Sequence, residues 1–163
     1  MLDNMATNWP DASTEQAAST IAVQRLARQL ERIATEALVP FDLTPAEFEL
    51  LSALRALPAP QQLTPTALYD AMLISSGGLT KLLKGLEMRN LVVRIASETD
   101  RRSRLVALTP EGHALTEQAM AAVQRAEAPL HRAMKAAWSG KAGRTGMARG
   151  LAAIADAADE AMR

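Results

Sequence analysis

The stretch Ser76-Gly77-Gly78-Leu79-Thr80-Lys81-Leu82-Leu83-Lys84-Gly85-Leu86-Glu87-Met88-Arg89 decides how the rest of the chain is read. Its apolar residues Leu79, Leu82, Leu83 and Leu86 fall at i, i+3, i+4 and i+7, the spacing of one buried stripe on an α-helix. The opposite face then carries Ser76, Gly77, Thr80, Lys81 and Lys84: small residues that permit close approach, and cations that suit a polyanion. Upstream, Thr64 can cap a helix with Pro65 in its first position, where a missing N–H costs nothing. That helix reaches about Met72, Leu73 and Ile74 make an apolar turn, and Ser75-Ser76 offers a second cap. Two helices joined so closely predict a helix-turn-helix, whose second member enters a DNA major groove with its N-terminal residues nearest the bases.

Downstream the periodicity changes. Leu91-Val92-Val93-Arg94-Ile95-Ala96 and Arg104-Leu105-Val106-Ala107-Leu108 flank the polar segment Ser97-Glu98-Thr99-Asp100-Arg101-Arg102-Ser103. Two runs rich in β-branched residues around a polar loop predict a hairpin. Arg101 and Arg102 fall at its tip, where a guanidinium can enter a narrow minor groove of enhanced negative potential. Asp100 beside them is a poor phosphate ligand and is assigned to hold an arginine in its working rotamer.

Global charge is silent on partners, because 18 Lys and Arg balance 18 Asp and Glu among 163 residues. Distribution is not. From Ser75 to Arg104, seven basic residues (Lys81, Lys84, Arg89, Arg94, Arg101, Arg102, Arg104) face three acidic ones (Glu87, Glu98, Asp100), a local +4. Cysteine is absent, which removes disulfides, thiolate metal sites and thiol redox sensing. The N-terminus lacks the basic and apolar regions of a signal peptide, and no apolar run approaches spanning length; a soluble cytoplasmic protein is expected, with no membrane partner.

The flanks read as helices. The pattern Ile21, Leu26, Leu30, Ile33, Ala34, Leu38 predicts an amphipathic helix from Ser13 or Thr14 to about Leu38, ended by Pro40, and a long terminal helix of this kind usually packs on a partner. Thr44-Pro45-Ala46-Glu47 starts a second helix with a cap, a proline at N1 and a glutamate placed to complete a capping box, with Phe48, Leu51, Leu54 and Leu57 inward. Thr109-Pro110 repeats the device after the hairpin. The helix it opens carries Leu115, Met120, Val123, Leu130 and Met134 and extends to about Ala137; Trp138-Ser139-Gly140 breaks it before a last helix over about 145–162.

Leu86-Glu87-Met88-Arg89-Asn90-Leu91-Val92-Val93-Arg94, followed by Asp100-Arg101-Arg102 and Leu108-Thr109-Pro110-Glu111-Gly112, resembles the winged-helix core of the MarR family of transcriptional regulators. The helical arms on either side match as well. Two departures are visible: Asn90 stands where the family more often has glycine, and asparagine also tolerates the left-handed conformation; Gly77-Gly78 with Lys81 is a less usual reading face. The resemblance implies a mainly α, single-domain protein over residues 1–163, with a winged helix-turn-helix core at 44–109 and a two-stranded β-hairpin wing. Dimerisation helices at 13–38 and 110–162 would flank that core.

It further implies a homodimeric repressor on a pseudo-palindromic operator in double-stranded DNA, needing no cofactor. Its DNA-contacting set would be Ser75, Ser76, Gly77, Thr80, Lys81, Lys84, Arg94, Asp100, Arg101, Arg102 and Arg104. Of these, Ser76, Thr80 and Lys81 would meet base edges; Lys84, Arg94 and Arg104 would neutralise phosphates; and Arg101 or Arg102 would probe the minor groove. Members of the family often bind a small aromatic or anionic effector. A urate-responsive subgroup related to PecS is similar to this sequence in an early tryptophan, in the Leu63-Thr64-Pro65-Thr66 start and in an arginine at Arg94. By that likeness Trp9 and Arg94 become candidate effector contacts, the ring stacking and the guanidinium pairing with an anion. The bland alternative makes Trp9 a helix-packing aromatic and Arg94 a phosphate contact.

A winged helix can also serve as a protein-interaction module without specific DNA binding, and that reading competes with the first; arginines at the wing tip would be of little use to it. Catalysis finds no support. His113 and His131 are the only histidines, with no metal-protease spacing, and Gly77-Gly78 follows no strand and lacks the lysine-serine ending of a phosphate loop.

Overall fold

Threonines Thr14, Thr44, Thr64 and Thr109 set four of the five main helix starts in the computed structural model, which describes residues 7–9, 14–72, 76–96 and 104–137. Each hydroxyl accepts a backbone N–H three residues on: Ala17 at 3.1 Å, Glu47 at 3.2 Å, Ala67 at 3.1 Å and Gly112 at 2.9 Å. One of the otherwise unpaired donors of each first turn is thereby satisfied. The helices they open are α1 (Glu15–Leu38), α2 (Pro45–Ala56), α3 (Pro65–Met72) and α5 (Pro110–Ala137), with α4 (Ser76–Met88) between the last two. At α2 the expected capping box is complete, Glu47 accepting from the Thr44 N–H at 2.8 Å. Helix α1 ends at Leu38, and Pro40 lies in the 3-10 turn Val39–Phe41 that follows; Asp42, at φ 51°, turns the chain toward α2.

The sheet has one more strand than the expected hairpin. β2 (Val92–Ala96) and β3 (Arg104–Leu108) pair antiparallel, with Arg94 opposite Val106, and β1 (Gln62–Leu63) pairs with the other edge of β3, giving the order β1-β3-β2. A two-residue strand is too short to show a period. It is defined by its partners Ala107 and Val106 across the ladder rather than by its own sequence.

The core lies under α4 and the sheet. Leu50, Leu51, Leu54, Leu68, Leu83, Leu86 and Val106 are almost completely buried, and Phe48, Leu57 and Leu82 pack at the margin. Leu50 thus joins the inner face expected of α2. On α5 the inward positions are Thr116, Ala119 and Val123, with Leu115 packed beside them; the buried Thr116 hydroxyl donates to the Gly112 carbonyl at 2.6 Å. Small residues let α5 lie close.

Helix α1 behaves differently. Among its described side chains only Leu38 is fully buried, with Ala34 and Ala37 packed near it, while Ile21, Leu26, Leu30 and Ile33 stay partly open and Val23 is 64% exposed.

The chain divides into two compact units, residues 1–126 and 127–163, the boundary falling inside α5. In the described part of the second, Pro129 lies within the helix and His131 Nε2 is 3.6 Å from Glu127 Oε2. Trp138-Ser139-Gly140 and the helix expected over 145–162 lie outside the described residues. Among the described residues no helix is long and apolar enough to cross a membrane.

Candidate nucleic-acid interface

Burying Leu79, Leu83 and Leu86 fixes the rotation of α4 about its axis. Gly77, Lys81, Lys84 and Met88, at i, i+4, i+7 and i+11, are consequently presented outward, with the exposed Thr80 along one margin. Met88 was not among the expected contacts, although it is 74% exposed; its place in the same row was the available signal. A Cβ built at Gly77 would meet nothing within 4 Å, so packing does not require glycine there. What the missing side chain does provide is bare backbone on the outward face. Ser76 opens the helix, and Ser75 lies outside the described residues.

The C-terminal end of α4 is held by a network that the sequence only partly announces. Asn90 adopts φ 55°, its N–H donates to the Glu87 carbonyl at 3.0 Å, and the Leu91 N–H donates to the Leu86 carbonyl at 2.9 Å. This is the Schellman arrangement, with asparagine in the position that usually takes glycine. Thr109 closes the same knot. Its N–H donates to the Leu91 carbonyl at 3.1 Å and its hydroxyl to the Asn90 carbonyl at 2.6 Å, while Asn90 Nδ2 reaches Glu111 at 3.4 Å. A Cβ on Gly112 would sit 1.9 Å from the Leu91 carbonyl oxygen, so the Thr109-Pro110-Glu111-Gly112 segment demands glycine for a backbone approach.

Arg89 ties the end of α4 to the start of α2, donating to Glu47 at 3.4 Å and to the Phe41 carbonyl at 3.3 Å, with Asp42 at 3.7 Å. Arg94 donates from Nε to Glu87 Oε1, linking the wing strand to α4. Of the five basic residues counted in the sequence that lie among the described residues, two are therefore matched within the chain. Lys81, Lys84 and Arg104 remain exposed, Arg104 standing opposite Ala96 at the far end of the β2–β3 ladder. Asp100, Arg101 and Arg102 lie outside the described residues.

The two candidate effector residues are placed on different elements. Trp9 precedes α1 and is 65% exposed, whereas Arg94 sits on β2 with Glu87 supplying its anion. Sequence reasoning did not anticipate the cleft between α2 and α5, about 380 Å³ in volume and walled by Ser52, Ala56, Thr116, Met120 and Ala121. At its edge Arg55 donates to Glu117 through Nε at 3.1 Å and Nη2 at 2.8 Å. The buried Ser52 hydroxyl has no hydrogen-bond partner among the described residues. No group of three or more metal-ligating side chains occurs among the described residues.

A short first helix, a second helix with a polar outward row, and an antiparallel wing locked to that helix's end define a winged helix-turn-helix protein. A sequence profile described as MarR family matches residues 41–103, the part of the chain that contains both helices and the first strand of the wing. Over these residues the chain is similar to the MarR family. It is 31% identical over 106 residues to the HTH-type transcriptional regulator PecS of Dickeya dadantii, covering 65% of this chain and 64% of that protein. Its fold is similar to the transcriptional repressor CouR bound to a 23-mer DNA duplex, at a TM-score of 0.70 and 28% identity over 88% of this chain and 94% of that one. It is also similar to a MarR mutant of E. coli complexed with operator DNA, at a TM-score of 0.62 and 28% identity over 72% and 83% of the two chains. The chain spans less than two thirds of the length of the curated relatives it matches.

Proposed function

We propose that this protein is a homodimeric, sequence-specific DNA-binding repressor of the cytoplasm, released from a pseudo-palindromic operator by a small aromatic or anionic molecule. The observation that carries the reading is the outward row of α4: Gly77 leaves backbone bare, Lys81 and Lys84 follow, and the opposite stripe is locked into the core. Such a face matches a major groove, with small residues near base edges and ammonium groups near phosphates. Ser76, Thr80 and Lys81 read bases; Lys84 and Arg104 neutralise phosphates; Arg101 or Arg102 enters the minor groove with Asp100 orienting it. Arg94 acts first as a tie to Glu87 and second as a cation beside the phosphates.

Dimerisation follows from α1, whose apolar residues Ile21, Leu26, Leu30 and Ile33 are only partly covered by their own chain. Two-fold symmetry then requires half-sites roughly 34 to 36 Å apart, one turn of the duplex. The effector works by differential affinity for dimers with different separations of their α4 helices, and no covalent step is needed. For its site the cleft between α2 and α5 offers apolar walls, and Trp9 and Arg94 offer stacking and charge. That relatives by name are transcriptional regulators agrees with a protein that binds rather than catalyses.

The test is a fluorescence-anisotropy titration against DNA flanking the protein's own gene at two salt concentrations. Tight binding that weakens steeply with salt and survives excess random competitor is expected. Weak binding that is equal for all sequences would instead make the winged helix a protein-interaction module.

A further inference from the structure

Beside the outward row of α4 the surface dips between α3 and α4. The depression, about 260 Å³, is lined by Pro65, Thr66, Tyr69, Leu79 and Thr80. Its inner surface is mostly carbon: the pyrrolidine of Pro65, the ring of Tyr69 and the side chain of Leu79, which is 4% exposed and forms the floor. Tyr69 is 41% exposed, so a large ring stands open to solvent in a chain with only five aromatic residues. Thr80 belongs at once to this notch and to the margin of the reading face. Whatever α4 reads therefore comes within reach of the notch.

In the major groove the base edges are hydrogen-bond donors and acceptors, with one exception, the C5-methyl group of thymine. A donor or acceptor pushed against Tyr69 and Leu79 would lose its water without gaining a partner. A methyl group loses nothing and gains burial. We propose that the notch receives the C5-methyl of one thymine in each half-site, with the Tyr69 ring and the Thr80 methyl as its walls, so that α3 contributes a specificity-determining residue to a surface otherwise built on α4. The proposal rests on the DNA-reading function argued above. It concerns the ring of Tyr69, whereas a phosphate contact would use the phenolic hydroxyl.

The experiment is a thymine-to-uracil scan of the operator, changing symmetric positions in both half-sites and measuring affinity by anisotropy. Uracil pairs as thymine does and lacks only the methyl. With the full-length wild-type protein, one position per half-site is expected to bind about fourfold more weakly for each methyl lost, the factor for burying one such group. Tyr69→Ala should abolish the difference at that position alone, and Tyr69→Phe, which keeps the ring, should retain it. A flat scan on a tightly bound operator overturns the notch and leaves the DNA-reading function standing. Sensitivity that persists in Tyr69→Ala, or disappears in Tyr69→Phe, also overturns it. Absence of any specific DNA binding removes both together.

Discussion

Helices α1 and α4 carry the same kind of apolar stripe and meet opposite fates. In α4, Leu79, Leu83 and Leu86 are 4%, 1% and 0% exposed, covered by elements of their own chain. In α1 the corresponding residues Ile21, Leu26, Leu30 and Ile33 remain partly open, and among the described side chains burial is complete only at Leu38. An apolar stripe states that a helix will be covered; it does not state by what. The accessible surface left on α1 is the difference, and it is the physical reason for expecting a second copy.

The largest effect should come from α1. Replacing Leu26 and Leu30 together by glutamate removes four leucine side chains from a symmetric interface, about 1.5 to 3 kcal/mol each. Sedimentation velocity should then show monomers, and a persistent dimer would place the interface elsewhere. Leu83→Ala tests the other side of the comparison. A loss of about 3 to 5 kcal/mol is expected in urea unfolding, because the site is closed on every side and can relax only in part.

On the polar face the effects are smaller and none destabilises the fold. Lys84→Ala should weaken binding to all DNA sequences alike and reduce the slope of log affinity against log salt by about one, as expected for one lost phosphate contact. Gly77→Ala is the finest test. With open space around the new methyl, the helix should gain up to about 1 kcal/mol, read as a higher melting temperature, while operator affinity falls. A variant that gains in both would show that the bare backbone at Gly77 has no part in binding.

Much of this architecture was legible in the chain because its signals are local. The cap threonines act over three residues, and the α4 stripe repeats within two turns, so neither needs tertiary information. Asn90 was readable for the same reason. What could not be read depends on residues far apart in sequence: β1 exists through its pairing with Val106 and Ala107, and Arg89 meets Glu47 across 42 positions. Arg94 illustrates the limit at the site itself. Residue type and position suggested a phosphate or effector contact, but whether its charge is already matched depends on the side chain of Glu87, seven residues earlier and on another element.

The knot of Asn90, Leu91, Thr109 and Gly112 has a mechanical meaning. It fastens the last turn of α4, the base of the wing and the first turn of α5 at one point, with the chain entering the hairpin at Leu91 and leaving it at Thr109. A lever pinned in this way cannot move one of its arms alone. Any tilt imposed on the start of α5 is delivered to α4 and to the wing as a single rotation, so the two would change orientation in the same instant.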